Sequence, residues 1–60
     1  MIKHYIDLFS KIYYIEKDGV IIFSIELSKD GKDVHIRGIK NEYIGNIEDL
    51  YLSEILNIAE

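Results

Sequence analysis

The sequence predicts an α+β fold, in which a three-stranded antiparallel meander packs against one C-terminal amphipathic helix. Two Asp-Gly pairs lie between runs rich in isoleucine, tyrosine and phenylalanine, which favour strands. The C-terminal segment instead repeats apolar side chains at helical spacing. We expect strands at about 11–16, 20–28 and 33–39, and a helix at about 47–59. The 60 residues allow one domain, 1–60.

The N-terminal segment 2–9 fits two structures. Ile2, Ile6 and Phe9 have helical spacing, whereas Ile2, Ile6 and Leu8 match the alternation of a strand. No Gly, Pro or Asn follows to mark a turn. The segment is therefore predicted to be either a short helix or an extra strand.

The two Asp-Gly pairs predict two-residue type I′ hairpin turns, because Asp-Gly suits two consecutive positive φ angles. Turns at Asp18-Gly19 and Asp30-Gly31 set a register that places Ile22 opposite both Ile15 and Ile39. One face of the predicted sheet then forms the core, with the following members: Ile12, Tyr14, Ile21, Phe23, Ile25, Leu27, Val34 and Ile36.

The stretch 40–45 is predicted to be a loop that leads into the helix. Asn46 is a favourable N-cap, and Glu48 and Asp49 would lie in the first turn, where carboxylates suit the free amides. About half of the helix surface is apolar, with these residues: Ile47, Tyr51, Leu52, Ile55, Leu56, Ile58 and Ala59. Leu50 falls on the polar side.

The composition favours self-association. A chain of this length buries only about 60% of its unfolded surface, so small domains usually need a disulfide, a metal or a second copy. The chain has no cysteine, which removes disulfides and thiolate metal sites. Association is the remaining means of stabilisation.

The net charge of −4 is concentrated near the C-terminus. Residues 41–60 contain acidic side chains and no basic ones, which favours a partner with a basic surface and disfavours nucleic acid. The longest apolar run, 20–23, is too short to span a bilayer, and the N-terminus does not resemble a signal peptide. We expect a cytoplasmic protein with no membrane contact.

No residue pattern indicates catalysis, a metal or a cofactor. His35 beside Glu26 could act as an oriented base, but the predicted face is open and no serine is placed as a nucleophile, so an exposed ion pair is the favoured explanation. Asp30, Asp33 and His35 do not have the spacing of a calcium loop. We predict that the protein is not an enzyme.

The predicted interface is the apolar row on the second sheet face. The row contains Ile15, Ile22 and Ile39, flanked by Tyr13 and Val20. A helix on the core face would leave the row in water, and each buried isoleucine contributes about 1.5–3 kcal/mol. Homodimerisation through this row is therefore predicted; the alternative is that the N-terminal segment covers it.

Contacts with a target are expected from Arg37 and from the acidic back of the helix, which carries Asp49, Glu54 and Glu60. In size, acidity and composition the chain resembles the small inhibitors that phages and mobile elements direct against host nucleases or repair enzymes. Its element order also resembles part of the PC4-like single-stranded DNA-binding fold, without the basic sheet of that family. The first resemblance implies an inhibitor that occupies a partner protein's surface. The second implies a nucleic-acid binder. Separately from that resemblance, Tyr13 beside Arg37 on an open sheet could stack a base.

Overall fold

The computed structural model describes residues 1–59 and contains five strands and one short helix. In chain order the elements are β1 (Ile2–Asp7), β2 (Ile12–Lys17), β3 (Val20–Leu27), β4 (Asp33–Arg37), β5 (Glu42–Asn46), a 3₁₀ turn (Ile47–Asp49) and α1 (Leu52–Ala59). The strands form one antiparallel sheet in the order β1-β2-β3-β4-β5. The prediction of a three-stranded meander is therefore wrong, although the α+β class is the same.

The N-terminal segment is the extra strand rather than a helix. All six residues of β1 pair with β2, from Ile2 opposite Lys17 to Asp7 opposite Ile12. Asp7 closes the connecting turn, because its carboxylate accepts a hydrogen bond from the Phe9 amide at 2.9 Å. The turn therefore forms without a Gly, Pro or Asn.

The first Asp-Gly turn is confirmed, but the register beyond it is not. Asp18 and Gly19 both have positive φ, at 52° and 84°, as a type I′ turn requires. A β-bulge then inserts one extra residue, Ile22, into β3, so that Ile15 lies opposite Phe23. Because side chains alternate along a strand, this one-residue shift turns β2 over relative to the prediction.

The second hairpin has the predicted pairing with a different turn. Leu27 lies opposite Val34, and Ser24 lies opposite Arg37, as expected. Gly31 has a φ of 72°, but Asp30 is not among the residues with positive φ. The turn is a four-residue loop, in which the Asp30 carboxylate accepts hydrogen bonds from the hydroxyl of Ser28 and the amide of Lys32.

The segment predicted to be a loop forms β5 instead. β4 ends at Arg37, and the amide of Gly38 donates to the carbonyl of Asn41 at 2.8 Å, which closes a tight turn. Tyr43 then pairs with Ile36 and packs against the core. Ile39, predicted to be in a strand, lies in the turn and is 70% exposed.

The helix is shorter than predicted. Asn46 is confirmed as a cap, since its side chain accepts a hydrogen bond from the Glu48 amide at 2.8 Å, but it caps only the 3₁₀ turn. Leu50 has an extended backbone, so the segment 47–59 is not one helix. A continuous helix would point Leu50 toward water, whereas the break allows it to pack against the core.

The hydrophobic core is small and off-centre. Among the described residues, Val34, Ile36 and Ile58 are the buried apolar side chains, so the core lies where the end of α1 meets β4. The end of the helix approaches the sheet at Gly38, where the carbonyl of Ile58 occupies the space that a Cβ atom would need. α1 therefore covers the β4–β5 side of the sheet.

Candidate interaction surface

The sheet face that contacts α1, here called the helix face, is covered on one side only. A cross-strand row on this face runs through Ile6, Tyr13, Ile25, Ile36 and Tyr43, one residue from each strand. Ile36 is 5% exposed, whereas Ile6 is 55% exposed. The helix thus shields the β4 end of the row and leaves the β1 end in solvent.

The uncovered end of the helix face is apolar. We define the open patch as Ile2, Ile6, Tyr13 and Ile15, which lie on the helix-face side of β1 and β2. Ile2 is exposed, and Tyr13 and Ile15 are half-buried. His4 lies among them. Its Nδ1 atom is 2.8 Å from the Tyr13 hydroxyl, so the polar end of His4 is hydrogen-bonded within the patch.

The chain exposes more surface than its mass predicts. Its accessible area is 4925 Å² at 7.0 kDa. A compact monomer of this mass would expose about 4,000 Å², which leaves a surplus of about 900 Å². A standard protein–protein interface buries about 800 Å² on each partner. The surplus therefore matches one interface.

The surplus has a simple geometric origin. The Cα positions extend over 32 × 28 × 14 Å, so the molecule is a flat slab. Exposed apolar residues also lie on the helix, where Leu52 is 70% and Leu56 is 57% exposed. One short helix is too small to cover a five-stranded sheet.

The predicted interface row is not assembled. The β3 bulge moves Tyr13 and Ile15 to the helix face, opposite Ile25 and Phe23. Val20 is 59% exposed beside the first turn, and Ile39 lies in another turn. Ile22, the bulged residue, is half-buried. Two of the five predicted residues, Tyr13 and Ile15, therefore belong to the open patch, on the face that was predicted to form the core.

The opposite sheet face, here called the polar face, contains the groups considered for catalysis. A depression of about 130 Å³ is lined by Ile12, Tyr14, Ser24, Glu26, His35 and Arg37. Pockets that bind small molecules usually measure about 300–1,000 Å³. This depression is too small to enclose a substrate.

His35 hydrogen-bonds to Glu42 of β5 rather than to Glu26. Its Nε2 lies 2.7 Å from the Glu42 carboxylate, and Arg37 Nε lies 3.7 Å from the same oxygen. The hydrogen bond with His35, together with the charges of both residues, lowers the pKa of Glu42 below its usual value. The arrangement is a surface ion-pair network that joins β4 to β5, and no serine belongs to it.

Tyr13 and Arg37 lie on opposite faces of the sheet. Tyr13 pairs with Ile25 on the helix face, whereas Arg37 pairs with Ser24 and Glu42 on the polar face. A nucleic-acid base cannot stack on Tyr13 while its phosphate binds Arg37. The combination that suggested single-stranded DNA binding is therefore not assembled.

Two of the predicted acidic contacts influence Tyr43. Asp49 lies in the 3₁₀ turn and Glu54 in the first turn of α1, and the charges of both act on the Tyr43 side chain. Burial raises the pKa of Tyr43 above its usual value, and the two carboxylates raise it further. Glu60, the third predicted residue of this group, lies outside the described residues.

The β1–β2 turn carries exposed apolar residues that the sequence analysis did not identify. Leu8 is 85% and Phe9 is 98% exposed at the tip of the hairpin. The Asp7 hydrogen bonds hold this turn in one shape, including Lys11 at a φ of 60°. The missing signal was the Asp7 side chain, which can replace a turn-forming Gly or Asn.

The described part of the chain contains neither a metal cluster nor a membrane-spanning helix. Residues 1–59 hold no group of three or more His, Asp or Glu side chains that could bind a metal ion. Within the same residues, no helix is long and apolar enough to cross a bilayer. Comparison with protein-family models, with curated proteins and with solved structures finds no match.

Proposed function

We propose that the protein is a non-catalytic interaction protein that works as a cytoplasmic homodimer and occupies the surface of a target protein. The observation that carries the proposal is the surplus of about 900 Å² of exposed surface, which a standard interface would remove. The open patch supplies the apolar part of that surface.

A second copy is the proposed occupant of the open patch. The helix face is self-complementary, because α1 fills the β4–β5 half and leaves the β1–β2 half without a helix. When two helix faces meet about a two-fold axis, the helix of each copy can lie over the open patch of the other. The exposed side chains of Leu52 and Leu56 would then be buried as well.

The target is proposed to be a protein with a basic surface, as for a small inhibitor of the phage type. The charge of −4 and the carboxylates of Asp49 and Glu54, which both act on Tyr43, favour a basic partner. The hairpin tip, Leu8 and Phe9, supplies an exposed apolar anchor of the kind that carries much of the energy in protein interfaces.

Light scattering after size exclusion tests the homodimer with a matched pair of variants. Ile15→Glu places a charge in the open patch and should halve the mass of the wild-type assembly. Ile44→Glu is the control, because Ile44 lies on the polar face and is 69% exposed; it should leave the mass unchanged. An Ile15→Glu variant that folds and keeps the wild-type mass would refute the proposed interface.

A further inference from the structure

The outer edge of β1 has free backbone groups. The Asp18 amide donates to the carbonyl of Met1 at 3.1 Å, so Met1 faces β2. Antiparallel strands alternate between residues that face the neighbour and residues that face away. The residues of β1 whose amides and carbonyls point away from β2 are therefore Ile2, His4 and Ile6.

This edge lacks two of the usual protections against pairing, a bulge and a proline, and its charged side chains lie on the polar face. β1 pairs with β2 through six consecutive residues without a bulge, and the chain contains no proline. Ile2 and Ile6 are 65% and 55% exposed at the outward positions. The charged residues Lys3 and Asp7 occupy alternate positions, on the polar face. A long, regular and apolar edge of this kind is a template for another strand.

We propose that the β1 edge pairs antiparallel with the β1 edge of a second copy. With the two-fold axis at His4, all three outward residues find partners: Ile2 with Ile6 of the second copy, His4 with His4, and Ile6 with Ile2. Sliding the strands by two residues loses one of these hydrogen-bonded pairs. The centred register therefore satisfies the most backbone groups.

The charges of β1 are on balance complementary in the same register. Lys3 lies opposite Tyr5 of the second copy, and its two diagonal neighbours there are Asp7 and Lys3. Diagonal neighbours across an antiparallel pair are about 7–8 Å apart or less, within reach of a lysine side chain. The two-fold axis gives two contacts between Lys3 and Asp7 and one between the two Lys3 residues, so attraction outweighs repulsion.

The other edge of the sheet is a poorer match for itself. The Gly38 amide bonds to Asn41 and the Ile47 amide bonds to Lys32, so the same alternation leaves Glu42, Ile44 and Asn46 of β5 facing outward. Glu42 is the one charged residue of β5 and already binds His35. Pairing β5 with β5 brings no opposite charge together, and Gly45 weakens the strand.

The edge contact is made by backbone groups of β1, whereas the face contact is made by the side chains of the open patch, so the two can form together. The face contact is that of the proposed homodimer, and for this contact the inference rests on the proposed function. Two such homodimers that pair through β1 make an assembly of four copies. Two perpendicular two-fold axes describe such a tetramer, which is a common closed symmetry.

The test is light scattering over a wide range of protein concentration with one proline variant for each edge. His4→Pro removes an outward amide of β1 without removing a hydrogen bond to β2. It should reduce the wild-type mass from four times the 7.0 kDa chain to twice that mass. Ile44→Pro makes the same change on β5 and should keep the mass of four copies. Lys3→Asp, which lies on the polar face outside the open patch and places a carboxylate beside Asp7 of the second copy, is the second variant for β1 should the proline disturb folding.

The outcomes separate the two contacts. Ile15→Glu should leave pairs joined through β1, and Ile15→Glu with His4→Pro should give single chains. An unchanged mass for both folded β1 variants would overturn the edge proposal, and it would leave the face contact standing if Ile15→Glu still halved the mass. Halving by Ile44→Pro alone would also overturn it. A wild-type protein of single-chain mass would overturn both contacts.

Discussion

Gly38 is the point at which a single methyl group should loosen α1. A Cβ atom at this position would overlap the carbonyl oxygen of Ile58 and would lie 2.9 Å from the Ile58 Cγ2 atom and 3.3 Å from the Asn41 carbonyl oxygen. Two of these three atoms belong to the backbone and cannot rotate away. Gly38→Ala therefore requires the end of α1 to move from the sheet.

The size of the effect follows from two opposing contributions. Overpacking a close contact costs about 1–3 kcal/mol. Replacing glycine lowers the entropy of the unfolded chain, which offsets about 0.4–1 kcal/mol of that cost. With the middle of each range, the net loss in the free energy of unfolding is about 1–2 kcal/mol. For a domain of this size, we expect Tm to fall by about 4–16 °C.

Thermal unfolding followed by circular dichroism measures the loss, at one fixed protein concentration because association shifts Tm. Gly45→Ala is the matched control. The new Cβ atom would meet the Tyr43 hydroxyl at 2.9 Å, so its nearest contacts are with the end of a side chain and not with backbone atoms. Its Tm should fall by less. A Gly38→Ala protein as stable as the wild type would refute the close packing of α1 on the sheet.

Three further predictions concern the surface. The lowered pKa of Glu42 means that its contacts stabilise the fold above the usual value of 4.5 and are lost as the pH falls through the folded-state pKa; Glu42→Gln should therefore reduce the change in denaturation midpoint between neutral pH and about pH 3. Phe9→Ser should change the free energy of unfolding by no more than about 0.5 kcal/mol and leave the mass in light scattering unchanged, because Phe9 is 98% exposed. Single-stranded DNA should show no gel shift with this protein at low salt, since the charge is −4 and Tyr13 lies on the face opposite Arg37; a shift that weakens with added salt would contradict this.

Local sequence signals predicted the hairpin centred on β3 and β4 well. The two Asp-Gly pairs marked the positions of the turns before and after β3. The alternating run from Val34 to Arg37 indicated which residues of β4 pair with β3. The Asn46 cap could also be predicted from the sequence, because side-chain capping depends on a few neighbouring residues. These elements depend on contacts that are close in sequence.

The missed elements depend on tertiary packing. Periodicity assigned Leu50 to a helix, but Leu50 gains more by leaving the helix and packing against the core. The strand β5 was missed because 40–45 has little alternation, and it is held by pairing with β4. The bulge at Ile22 has no sequence marker, since its neighbours are also β-branched or aromatic.

The bulge decides which side of β2 faces the helix. β2 is apolar on both of its sides, with Tyr13 and Ile15 on one and Ile12 and Tyr14 on the other, so either side can pack. Deleting Ile22 would remove the extra residue and would keep Glu16 opposite Ile21 and Ile15 opposite Phe23 on a regular strand. The loss of this one codon would therefore leave unchanged the set of side chains that the N-terminal hairpin offers to other molecules.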